Sequence, residues 1–291
     1  MRRRLAVLSK VVVSIGSVLG ARAASSNGIQ LLLNVTVPVN HTYKVHRIWK
    51  ATPKGSGNGN QIHDLVVQLG SSELQATPPV GTTKFELTIL RFSGKDLDGD
   101  ETAHLKQIAT TVQGEKIGRN FNSHGPIGTW AMTTWNNAGW AGMMALKSLG
   151  LYEIGFLDAV LPRTQVHLGS QWSSDVPFGD EGIYQDGKFR PDVHDVRGNI
   201  AHCTYELKGI DPHGKTATVS FSGTSTSTMT YDSPFGKGKA KVKIIEKQSG
   251  KWVLSLKSGF PESFHAERRI ILIYDKQTAT EETTTDVVLA K

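Results

Sequence analysis

Apolar and polar residues alternate in short stretches along most of the chain from Leu31 onward. Because successive side chains of a strand point to opposite faces, such alternation is typical of half-buried β-strands. The pattern predicts strands at residues 31–37, 42–49, 64–70, 83–92, 105–112, 116–122, 164–172, 201–208, 215–223, 239–247, 251–258 and 266–273. A Thr-rich tail, 278–290, is expected either to pair as an edge strand or to fray. The chain is therefore predicted to be mainly β and antiparallel.

A different pattern covers residues 130–157, where apolar residues crowd together with few polar ones between them. A helix that is apolar nearly all round is enclosed by protein. This stretch therefore predicts one hydrophobic helix within a connector at residues 131–162.

The segments on either side of this connector match each other in three places and in the same order. Val39 before Tyr43 corresponds to Leu168 before Trp172, and a turn followed by a strand at 81–87 corresponds to one at 214–221. The third match compares a Gly hairpin at 121–127 with a second one predicted around Gly250. Any β-meander can produce such matches, but their order favours a tandem pseudo-repeat. We therefore predict two related curved antiparallel sheets, an N-terminal half at 24–130 and a C-terminal half at 163–291.

The start of the second half carries the sequence Q-V-H-L-G-S-Q-W at residues 165–172. Val166 and Leu168 are expected on one side of a strand, and Gly169 is expected at a bulge or a positive φ. Trp172 is predicted to anchor the core, with contact to a ligand as the alternative.

The first 23 residues have the pattern of a secretory signal peptide. Basic residues precede an apolar run at 11–19, which Ala21-Arg22-Ala23 follows as a cleavage motif. Removal of residues 1–23 takes away five of the 33 basic residues and none of the 26 acidic ones, which changes the net charge from +7 to +2. The mature chain then offers no charge argument for a nucleic-acid partner. The protein is expected to be exported to the periplasm or the extracellular space, with no integral membrane span after cleavage.

The signal peptide, the two meanders, the apolar connector and the motif V-x-L-G-x-x-W together resemble a family of exported bacterial proteins of unknown function. The motif residues are Val166, Leu168, Gly169 and Trp172. The resemblance implies a fold and a location, and it implies no activity.

Polar residues between Asp192 and His213 are the second candidate for chemistry. His194, His202 and Cys203 could supply metal ligands or a Cys–His pair, but their spacing matches no zinc motif. His202 and Cys203 are expected on opposite faces of one strand. Cys203 is the one cysteine of the chain, so it has no internal disulfide partner and is expected to be a buried structural thiol.

These patterns favour a non-catalytic binding or scaffold protein of the cell envelope, with a hydrophobic small molecule or lipid as its possible ligand. Soft, adaptable side chains are the predicted lining, namely Trp135, Trp140, Met143, Met144 and Trp172. No catalytic residue, metal or cofactor is predicted. The alternative is an exported enzyme or metal-binding protein that uses the region from Asp192 to His213.

Overall fold

The computed structural model describes residues 28–35, 38–52, 60–71, 82–97, 102–132, 155–177, 184–185, 188–189, 193–198, 200–232, 239–274 and 277–290. Strands dominate these residues. In chain order the elements are β1 (Asn40–Thr52), β2 (Gln61–Ser71), β3 (Thr83–Asp96), α1 (Thr102–Val112), β4 (Lys116–Asn122), β5 (Gly125–Met132), β6 (Gln171–Pro177), β7 (Tyr184–Gln185), β8 (Lys188–Phe189), β9 (Val193–Arg197), β10 (Ile200–Ile210), β11 (Thr216–Asp232), β12 (Lys239–Ser255), β13 (Pro261–Tyr274) and β14 (Gln277–Leu289). The predicted mainly β, antiparallel class is confirmed.

One twelve-stranded sheet contains every described strand except those of the short hairpin of β7 and β8. Its strand order is β5-β4-β3-β2-β1-β14-β13-β12-β11-β10-β6, and β9 pairs with the far end of β11. The first and last strands join the two parts of the chain, because β1 pairs with β14 from Tyr43↔Leu289 to Thr52↔Thr280. The prediction of two sheets is therefore wrong. Hydrogen bonding between β1 and β14 is a non-local contact, which the local pattern could not show.

The sheet curves strongly around its buried face. The ring centre of Phe85 on β3 lies 5.2 Å from the ring centre of Phe260, which directly precedes β13. Three strands separate β3 from β13, so the two strands would be roughly 19 Å apart in a flat sheet. The contact requires the sheet to bend, and its buried face is consequently concave.

The segment of residues 155–166 fills one end of this concave face. Phe156, Leu157 and Leu161 are buried there among apolar side chains of the sheet. The Leu161 amide donates to the His124 carbonyl in the β4–β5 turn, and Arg119 of β4 forms an ion pair with Asp158 at 2.5 Å. On the other side the Trp252 indole donates to the Phe156 carbonyl. One short segment thus links strands from both halves of the sheet.

The predicted helical connector is not helical at its described ends. Ala131 and Met132 belong to β5, and residues 155–162 form a turn and extended backbone. Residues 133–154, on which most of this prediction falls, lie outside the described residues.

The strand predicted at residues 105–112 is instead part of α1. Leu105, Ile108 and Val112 are all buried, and their spacing of three and four residues places them on one helical face. That face packs against β3. A short segment with few apolar residues fits both the two-residue repeat of a strand and the 3.6-residue repeat of a helix. Packing against β3 favours the helix.

Two further predictions fail at the C-terminal end. The predicted hairpin at Gly250 does not form, because β12 continues through it. A Cβ at Gly250 would lie 2.6 Å from the Phe221 ring and 2.1 Å from the His265 carbonyl oxygen, so this glycine makes room for close packing within a strand. The tail neither frays nor lies at an edge, since β14 pairs with strands on both sides.

The motif at residues 165–172 is partly as expected. Gly169 has φ +83, which is one of the two predicted alternatives, and Val166 is buried in an isolated bridge to Ile29. Leu168, however, is 58% exposed, because residues 168–169 form a turn. The two side chains therefore do not share a face. Within the described part of the chain, no helix has the length and apolarity needed to cross a bilayer.

Candidate functional site

Along the strands, the side chains on the concave face change from apolar to polar. On β1 the inward side chains are Tyr43, Val45, Arg47 and Trp49 in sequence, so two core residues are followed by a buried cation. Similar changes occur on neighbouring strands. We call the resulting set of inward-facing polar residues the polar belt, and it consists of Arg47, Gln61, His63, Glu246 and Arg268.

Strand register holds the polar belt together across the sheet. Arg47 is opposite His63 on β2 and opposite Thr285 on β14. Thr283 of β14 is in turn opposite both Trp49 and Arg268. The belt therefore extends from β2 to β12, with Thr283 and Thr285 of β14 between its members, and the large apolar core lies on one side of it. On the other side lies a small apolar cluster of Val193, Met229, Val242 and Ile244, with Ile270 and Leu272 packed against it.

A buried ion pair forms the part of the belt on β12 and β13. The Glu246 side chain is 2% exposed and that of Arg268 is 15% exposed. Arg268 donates through Nε to Oε1 of Glu246 and through Nη2 to Oε2 at 3.0 Å. This two-point geometry compensates the cost of removing both charges from water.

Arg47 is the most deeply buried cation described, with 2% of its surface exposed. Its Cζ lies 4.9 Å from the centre of the Trp49 ring, which is a cation–π distance. It also lies opposite His63 in the strand register. A positive charge held in this position opposes a second positive charge on the imidazole.

His63 is accordingly a neutral imidazole at physiological pH. Burial, followed by the positive charge of Arg47, lowers the pKa of His63 to about 4, against a smaller opposing effect of Asp64. Its Nε2 lies 2.8 Å from Oε1 of Gln61. Because an amide oxygen only accepts hydrogen bonds, Nε2 carries the proton and Nδ1 presents a lone pair.

Nδ1 of His63, an acceptor, and Nε1 of Trp49, a donor, are buried at this end of the interior and have no hydrogen-bond partner among the described residues. His63 is 1% exposed and Trp49 is 9% exposed. Buried polar groups normally have partners, because an unmade hydrogen bond costs about 1–3 kcal/mol. One donor and one acceptor together match a hydroxyl group, which can accept from the indole and donate to the imidazole.

Trp172, the described member of the predicted ligand-binding set, is part of the core packing. Its ring stacks on Tyr205 at 5.7 Å between centroids, with 11° between the planes. Its indole nitrogen donates to the Val160 carbonyl at 2.7 Å. The other four predicted residues, Trp135, Trp140, Met143 and Met144, lie outside the described residues.

The candidate side chains between Asp192 and His213 are not brought together in one site. His194 contacts Asp232 at 3.0 Å, whereas His202 contacts Asp175 at 2.6 Å on a different strand pair. Cys203 is buried on the opposite face from His202, as the alternation predicted, and burial raises the pKa of its thiol. Among the residues that the structure covers, no group of three or more His, Cys, Asp or Glu side chains could hold a metal ion.

Two small apolar pockets lie between the segment of residues 155–166 and the sheet, and both are too small for a ligand. One is lined by Phe121, Phe156 and Phe260 among others, and the second by Leu31, Leu161 and Leu254 among others. Each has a volume of about 10 Å³, which is room for a single water molecule.

Sequence reasoning missed the polar belt, although a signal was present. Once alternation sets which residues of β1 face inward, Arg47 falls on the same side as Tyr43 and Val45. A cation at an inward position is rare enough in a soluble core to indicate a functional or structural site. Comparison with known proteins adds no assignment, because no family model and no curated protein matches the chain.

Proposed function

We propose that this chain is an exported, non-catalytic binding protein that takes a small, largely apolar molecule carrying a hydroxyl group. The observation that supports it is the pair of buried, unpartnered atoms, His63 Nδ1 and Trp49 Nε1. They offer one acceptor and one donor at the same end of a concave apolar face. A non-catalytic role suits them, because a neutral imidazole with a pKa near 4 is a weak base at pH 7.

The apolar part of the ligand would lie beyond the belt, against the small apolar cluster. Ile270 and Leu272 are only partly buried there, so they have surface left to cover. Burial of apolar surface gives affinity, while His63 Nδ1 and Trp49 Nε1 give orientation and selectivity for the hydroxyl group.

Several expectations from the sequence belong to this proposal as well. The lining of the ligand site is completed by Trp135, Trp140, Met143 and Met144. The signal peptide at residues 1–23 directs export. The two halves of the chain arose by tandem duplication. The first of these is tested with the ligand. In a variant with Trp140 replaced by Ala, the apolar probe described below should bind more weakly.

The test uses residues 24–291 and two fluorescent probes, a pyrene-labelled long-chain alcohol and the matching alkane without the hydroxyl group. We expect the alcohol to bind about tenfold more tightly, because one satisfied pair of hydrogen bonds is worth about 1.4 kcal/mol. His63→Phe and Trp49→Phe should remove this preference and leave alkane binding unchanged.

Trp172→Phe is the matched control, because it removes an indole N–H whose partner is the Val160 carbonyl. It should leave the preference for the alcohol intact. Equal binding of both probes by the parent protein, or no binding of either, would contradict the proposal. In that case His63 Nδ1 and Trp49 Nε1 bind water.

A further inference from the structure

The outward face of the sheet carries a regular row of cations along β12. Lys239, Lys241, Lys243, Lys247 and Lys251 are all exposed, and their even spacing in the strand places them on one side. We call them the lysine row. Neighbouring members are about 6.8 Å apart where they alternate, and the row is about 40 Å long.

Hydroxyl side chains run beside the lysine row on β11. In the strand register Thr230 is opposite Lys241, Thr228 is opposite Lys243 and Thr224 is opposite Lys247. Ser222 and Thr226 complete this line of hydroxyl groups on the same outward face. The face thus combines positive charge with hydrogen-bond donors and acceptors.

None of the five lysines lies within ion-pair distance of a carboxylate in the described part of the structure. Lysine is often placed on exposed edge strands, where it prevents pairing with another chain. That explanation does not apply here, because β12 is hydrogen-bonded to β11 on one side and to β13 on the other. The charge of the row is therefore available to a partner.

We propose that the lysine row and the hydroxyl line beside it bind a linear acidic polysaccharide. The line of charges suits a chain-like partner with repeated anionic groups, and the Ser and Thr hydroxyls suit its sugar hydroxyls. Single-stranded nucleic acid fits less well, because the outward positions of β11 and β12 carry no aromatic ring on which bases could stack.

A membrane surface also fits less well. Proteins that bind anionic bilayers combine basic residues with apolar side chains that enter the lipid. Ile245 is the one apolar side chain among the outward positions from Lys239 to Lys251 on β12, and like its neighbours Ile271 and Ile273 on β13 it is only half-exposed. The net charge of +2 expected for the mature chain conceals this surface, because five of its basic residues stand in one row on β12.

The test measures binding of residues 24–291 to polygalacturonate, with neutral dextran as the uncharged polymer. We expect binding to polygalacturonate only, and at least tenfold weaker binding when NaCl is raised from 20 to 200 mM. The triple variant K241Q/K243Q/K247Q should lose about tenfold in affinity, since exposed charge pairs contribute up to about 1 kcal/mol each. The corresponding Lys→Arg triple variant should retain the affinity.

The matched control is K44Q/K50Q/K106Q, which removes three exposed lysines elsewhere and changes the net charge by the same amount. It should change the affinity less than twofold. Equal losses in both triple variants would show that net charge alone is responsible and would overturn the proposal. So would tighter binding to phosphatidylglycerol-containing vesicles or to a thymidine oligonucleotide than to polygalacturonate.

Discussion

Trp252 and Trp49 both face the interior of the same sheet, but at opposite ends and in opposite circumstances. Trp252 packs against Phe221 at 4.2 Å and Phe264 at 5.4 Å, and its indole donates to the Phe156 carbonyl at 3.0 Å. Trp49 lies against Arg47, and its indole nitrogen has no partner among the described residues. At the Trp252 end the indole N–H has its acceptor within the protein. At the Trp49 end the indole N–H can still donate a hydrogen bond to a ligand. The comparison separates residues that stabilise the fold from residues that are available to a ligand.

The largest effect on stability is expected at the Trp252 end of the sheet. Trp252→Ala should lower the free energy of unfolding by about 3–5 kcal/mol, because it leaves a cavity between two aromatic rings and removes a buried hydrogen bond. Urea unfolding followed by circular dichroism measures the change. A loss below 1 kcal/mol would mean that this end is not the main source of stability.

A somewhat smaller effect is expected for the buried ion pair. Glu246→Ala should cost about 3 kcal/mol in unfolding free energy, because it leaves the Arg268 guanidinium largely buried without its carboxylate. The double variant Glu246→Leu with Arg268→Met should recover most of that loss, since it removes both charges. If the double variant were as unstable as the single one, the pair would have a role beyond mutual compensation.

Stability should depend on pH through His63. Its folded pKa of about 4 lies below the unfolded value of 6.5, so the unfolded chain binds a proton first as the pH falls. Stability from this group is complete above pH 6.5 and is lost as the pH falls towards 4. Between pH 7 and pH 5 the loss should be about 2 kcal/mol.

Urea unfolding at these two pH values checks this expectation, with His63→Gln as the control because its side chain does not titrate. The parent protein should lose more stability than the variant over this interval. Equal losses in the two proteins would show that His63 is protonated in the folded state as easily as in the unfolded state.

The smallest effects sharpen the comparison between partnered and unpartnered indoles. Trp172→Phe should cost about 1 kcal/mol more than Trp49→Phe, because Trp172 donates to the Val160 carbonyl and Trp49 has no acceptor to lose. Thermal unfolding of both variants provides the measurement. A larger cost at Trp49 would indicate that its ring contact with Arg47 contributes more than the lost hydrogen bond at Trp172.

Much of the secondary structure could be predicted because alternation is local. The strands around residues 42–49, 83–92 and 201–208 lie within β1, β3 and β10. The predicted strand at 105–112 failed because a helical and a strand period overlap in so short a segment. Gly250 was misread as a turn because glycine serves both turns and close contacts, and the Phe221 ring above it lies on another strand.

The candidate site was harder to predict because its members are distant in sequence. Gln61 and His63 follow Arg47 closely, whereas Glu246 and Arg268 lie about two hundred residues later. They share one surface only because β14 pairs with β1 and thereby joins the end of the chain to its beginning. The four predicted ligand residues on the apolar connector stay a prediction.

The sequence by itself determined that this protein is built from antiparallel strands and that Cys203 is buried, and it limited Gly169 to a bulge or a positive φ. These features depend on neighbouring residues, and local sterics and side-chain alternation are sufficient to set them. Only the tertiary structure decided that the two parts of the chain form one sheet, and that a buried Arg47 shares its interior with Glu246. Both depend on pairing between distant strands, which no local pattern records.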